Sequence, residues 1–182
     1  MDNFAETAEQ VATAVREQAE HIGAGLAPDE DWMPVLFTFG SADGRDVIAG
    51  LPDLGDPKCK PALLQGAVPM VIAQARPQWA ALVTMGWACT IPDTLEGRAE
   101  IARREAQGTF GKVEGRPDAN ECLMVYVVGK DGTATMLYAS VTRSETEPPV
   151  LAWEHKSADS RIEGALPDAL RRGFAAAARG RG

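Results

Sequence analysis

Residues 121–128, ECLMVYVV, followed by Gly129-Lys130-Asp131-Gly132 and then by residues 133–143, TATMLYASVTR, decide the fold. Leu123, Val125 and Val127 alternate with Met124, Tyr126 and Val128. Both alternations are apolar, the pattern of a strand covered on both faces. Asp131-Gly132 accepts the positive φ that a tight turn demands, so residues 133–143 return beside residues 121–128 as a hairpin. Residues 79–90, WAALVTMGWACT, are likewise apolar on both alternations. Inner strands of this kind need helices on both sides of the sheet.

Outward from that hairpin, Phe4, Ala8, Val11, Ala12, Val15, Ala19 and Ile22 recur at steps of three and four. They predict an amphipathic helix over 3–23, capped by Asn3 with Glu6 returning a bond and stopped by Gly23 and Gly25. Residues 32–39 and 45–51, separated by the turn SADG, predict a first hairpin. Residues 57–76 read as a helix that Pro69 should bend or divide. Residues 150–153 suggest an extra edge strand. A terminal helix starts from a Ser160–Glu163 capping box or at Pro167, with Leu166, Leu170, Phe174 and Ala177 on one face. The expectation is an α/β (α+β) protein with a mainly antiparallel open sheet. The order is α-β-β-α-β, a long insertion, β-β, a possible further β, and α. The terminal helices would lie on one face and the middle helix on the other.

This order over most of the chain resembles the profilin-like modules of the roadblock and longin type. The resemblance implies a small cytoplasmic dimerising or docking platform, though those modules normally lack an insertion as long as residues 91–120. The hairpin block ECLMVYVVGKDGTATMLYASVT, with the later LAWE, is also similar to segments of uncharacterised bacterial proteins, which implies no function.

The 182 residues are 45% hydrophobic and 24% charged, proportions of one globular domain over 1–182, with a frayed basic tail at 176–182. Residues 91–120 are a charged excursion between two apolar strands. Its first half is a weakly amphipathic helix. Its second half is read either as a mobile surface insertion or as an arm that docks a partner through Phe110, Lys112 and Arg116. Three widely spaced cysteines suit free thiols, and an acidic, polar start without a secretory pattern makes the cytoplasm the expected location. The net charge of −8 argues against nucleic acid and anionic membranes as partners. It leaves a protein partner or a second copy.

Chemistry-bearing residues are few. No phosphate loop, dinucleotide fingerprint, G-x-S-x-G elbow, C-x-x-C or H-E-x-x-H occurs, so no cofactor and no metal is expected. Asp29-Glu30-Asp31 and the pair Asp43 and Asp46 read as solvated loops. His21 falls off the apolar stripe of its helix, which leaves His155 as the candidate general base and Cys122 as the candidate nucleophile, oriented by Glu154 or Glu121. Against that dyad, Cys122 begins an apolar strand where a small thiol packs well. The four tryptophans read as core. The functional expectation is therefore a binding, docking or regulatory module. The alternatives are a small Cys/His-dependent hydrolase or transferase, and a structural subunit of a larger assembly.

Overall fold

In a computed structural model of the chain, which describes residues 7–56, 58–88, 94–107, 119–156 and 165–180, six strands form one antiparallel open sheet with helices on both faces. The strands are β1 (Val35–Phe39), β2 (Ile48–Gly50), β3 (Trp79–Ala88), β4 (Asn120–Gly129), β5 (Ala134–Thr142) and β6 (Val150–Lys156), and they lie in the order β2-β1-β3-β4-β5-β6. The helices are α1 (Ala8–Gly23), α2 (Lys60–Ala62), α3 (Val68–Ala75), α4 (Leu95–Ala106) and α5 (Ala165–Arg179). The short run 150–153 is thus the start of a seven-residue edge strand.

The double alternation of β4 divides the core as its sequence implies. Leu123, Val125 and Val127 are buried with Val11, Val15 and Trp32 beneath α1. Val128 and half-buried Tyr126 join Leu36, Leu82, Ile72 and Leu170 on the face that α3 and α5 cover. The expected pairing of the terminal helices on one face is incorrect. The helix α5 packs on α3, opposite α1. The contact depends on Gly173, where a Cβ would come 2.6 Å from Cβ of Ile72 and has no room. Glycine lets the two helices approach closely, and that closeness lets α5 share the Ile72 and Leu170 core.

The first helix begins later than its periodicity suggests. Thr7 is the N-cap: Thr7 Oγ1 accepts from the Gln10 N–H and Gln10 Oε1 accepts from the Thr7 N–H, a capping box. The expected cap, Asn3, lies outside the described residues. At the other end Gly23 makes room for the Trp32 indole, whose N–H donates to Ala19 O at 3.0 Å.

Pro69 divides its helix as expected. Lacking an N–H, it cannot continue the regular ladder, and the preceding residues Leu63–Ala67 widen into a π turn in which the Val68 N–H reaches Leu63 O. At the β4–β5 turn Gly129 N–H donates to Thr133 O at 2.7 Å and closes a three-residue loop, 130–132, in which Gly132 N–H donates to Gly129 O and Gly132 holds φ +89°. The expected frayed tail is helical through Arg179, since alanine is the best helix former. The expected mobile or docking half of the insertion, with Phe110, Lys112 and Arg116, lies outside the described residues, as do Ser160 and Glu163.

Candidate functional site

The registers of β4, β5 and β6 place the candidate chemistry on two different faces. Cys122 pairs with Ser140, and Ser140 with Ala152; one row along, Met124 pairs with Tyr138, and Tyr138 with Glu154. Paired residues share a face. Cys122, Met124, Tyr138, Ser140 and Glu154 therefore stand on the α3/α5 side of the sheet. His155 pairs with Leu137, which pairs with Val125, on the alternation that faces α1. The structure brings Cys122 and Glu154 onto one face and sets His155 on the alternation of the other.

On the shared face, Tyr138 O–H donates to the Glu154 carboxylate and Tyr126 O–H to Met124 Sδ at 3.3 Å. The bond to Glu154 pushes the Tyr138 phenol above its ordinary value, because ionisation would set two anions side by side. Burial pushes up Tyr126. Cys122 is also pushed up, first by burial and then by the Glu121 carboxylate next to it. All three acids are thereby held neutral, and a thiol held neutral is a poor nucleophile. What this part of the sheet offers is a half-buried surface of Met124, Met136, Tyr126 and Tyr138. The two tyrosines escaped the sequence reading because their partners are set by strand register.

Glu121 belongs to another arrangement. Its carboxylate accepts two bonds of 2.9 Å from Arg143, whose remaining N–H groups reach Glu30 O at 3.0 Å, Pro28 O at 3.3 Å and the Asp31 carboxylate. Arg143 thus ties the loop after α1 to β4. Glu30 accepts from the Ala27 N–H, so two of the three carboxylates of Asp29-Glu30-Asp31 hold the chain itself. Asp46 and Asp43 do the same for the first turn, accepting from the Ser41 and Arg45 N–H groups. Among the described residues no group of three or more His, Cys, Asp or Glu side chains is gathered as for a metal ion. No described helix is long and apolar enough to cross a membrane.

The sheet ends on β6, whose outer edge no described strand covers. Val150 is 61% exposed there, and Ala152 and Glu154 are exposed beside it. Of the other indoles, Trp79 and Trp153 are partly buried and Trp87 is 44% exposed, so the core reading is complete only for Trp32. No family model, no curated protein and no solved structure matches the chain.

Proposed function

We propose that the protein is a cytoplasmic docking module that acts through protein–protein contact, with the β6 edge and the adjoining face of β5 as its contact surface. The observation that carries this reading is the seven-residue edge strand, Val150–Lys156, with its outer backbone side unpaired among the described strands. An exposed strand edge is a template for strand addition by another chain. Half-buried Met136 and Tyr138 lie one strand inward and give a partner apolar and aromatic surface to cover. Catalysis is the weaker reading, since Cys122 is held as the thiol and does not share an alternation with His155.

The test uses Val150→Lys with Ala152→Lys, two lysines at exposed edge positions, the means by which natural sheets block strand addition. Light scattering reads self-association, and affinity capture from the host reads other partners, each for wild type and variant. A dimer or a captured protein present with wild type and lost with the variant supports the reading. A monomer at all concentrations together with identical captured sets overturns it.

A further inference from the structure

A second feature lies away from β6. A cleft of about 460 Å³ opens between the C-terminal half of α5, the β4–β5 turn and the end of α3. The sequence of α5 makes it. Arg171, Phe174, Ala175 and Ala178 fall at helical spacing on one face, Phe174 is buried as floor, and the alanines that follow are too short to close the gap. The opposite wall is the β4–β5 turn, held in place by Lys130 N–H donating to Gln78 O at 2.9 Å.

The charges around this apolar floor run against the composition of the chain. Arg76, Lys130 and Arg171, from three separate elements, line the cleft with one carboxylate, Asp131, in a protein of net charge −8. Asp131 is committed to its own turn. Its Oδ1 accepts the Thr133 N–H at 2.9 Å, and that bond holds the carboxyl below the usual range. Arg171 pairs with Asp168 one turn back along α5. Arg76 and Lys130 have no ion pair among the described residues. Arg76 caps α3 in the left-handed region, φ 50° and ψ 51°, a conformation that favours glycine or asparagine. Arg76 adds a cation to the lining of the cleft at some cost in backbone strain.

We propose that this cleft binds a small amphiphilic anion, an oxyanion group on an apolar body, with the oxyanion at Arg76 and Lys130 and the body against Val128, Phe174 and the α5 alanines. Concave, mostly apolar sites with a few convergent polar groups are the usual form of small-molecule sites, and the volume lies in their range. Binding of octanoate and octyl phosphate, with octanol as the neutral counterpart, tests this by calorimetry on the full chain. The two anions distinguish a carboxylate from a phosphate ligand.

The expected result is that at least one anion binds tenfold or more tightly than octanol and weakens as salt is raised. That binding falls at least tenfold in Lys130→Glu and in Arg76→Gly, a change that relieves the backbone, and falls again in Ala175→Leu, which fills the cleft from an exposed helix position. Thermal melts confirm that each variant is folded. Octanol binding as tightly as both anions, no binding of either anion, or anion binding unchanged in the folded variants overturns the proposal.

Discussion

At the level of single residues, protonation decides what the β4–β5 surface can do. The Cys122 thiol lies above its ordinary value because a thiolate there would lose hydration and face the Glu121 carboxylate. Cys59 is also raised, first by its contact with the Asp56 carboxylate, but it is partly exposed whereas Cys122 is buried. Iodoacetamide at pH 8 should therefore modify Cys59 well before Cys122, and denaturant should accelerate Cys122 sharply. Site-resolved mass spectrometry checks this, and native labelling of Cys122 at its unfolded rate would return it to the list of nucleophiles. The tyrosines give a second measurement. The chain has only two, and both are raised above the ordinary value of about 10. A raised acid favours the neutral form in the folded state, so this contribution to stability is complete below the unfolded value and lost as pH rises through the folded one. Absorbance at 295 nm should show both phenols titrating late, and Glu154→Gln should bring one of them down by removing the neighbouring anion. Two late titrations in the variant would refute the pairing. The burial of Cys122 was legible in the sequence because a thiol in an apolar run packs as a small hydrophobe. The Tyr138–Glu154 bond was not, since those residues are sixteen positions apart and only strand register joins them.

Elements were legible where the signal was local. Double alternation marked β3 and β4, Asp-Gly marked the β4–β5 turn, and Pro69 marked the break between α2 and α3, because each depends on backbone sterics within a few residues. The side of the sheet that α5 takes is a tertiary property, and the apolar stripe of α5 fits either face. Two glycines in the helical segments test the physical reason for the outcome. Gly66, in the π turn, has nothing within 4 Å of an added Cβ, whereas at Gly173 that atom would come 2.6 Å from Ile72. Gly66→Ala should raise stability by about 0.5–1 kcal/mol through loss of unfolded-state freedom. Gly173→Ala gains the same propensity term but forces α3 and α5 apart. Overpacking costs about 1–3 kcal/mol, so the net effect should be destabilising. Urea unfolding of the two variants gives the comparison, and a stabilised Gly173→Ala would mean that the helices do not rest on that contact.

For the molecule as a whole, charge is uneven along the chain, and part of that unevenness is carried into the two faces of the sheet. Residues 1–56 carry twelve acids and two bases, and the remainder carries fourteen acids and sixteen bases. The acid-rich segment supplies α1 on one face of the sheet and, around Leu54, Asp53 and Asp56 on the other, where Arg76, Lys130, Arg171 and Arg172 accompany α3 and α5. Two modes of self-association follow, with opposite responses to salt. Stacking an acidic face on a basic face is head-to-tail, so it need not stop at two copies, and added salt screens it. Pairing β6 with β6 is isologous, stops at a dimer, and rests on backbone hydrogen bonds and apolar cover that salt does not screen. If the edge is the contact surface, light scattering should give at most a dimer, with the same dimer fraction at 50 mM and 1 M sodium chloride, abolished by Val150→Lys with Ala152→Lys. Species growing past the dimer at low salt and dissolving at high salt, with the variant behaving as wild type, would assign the association to the charged faces and take β6 out of self-association.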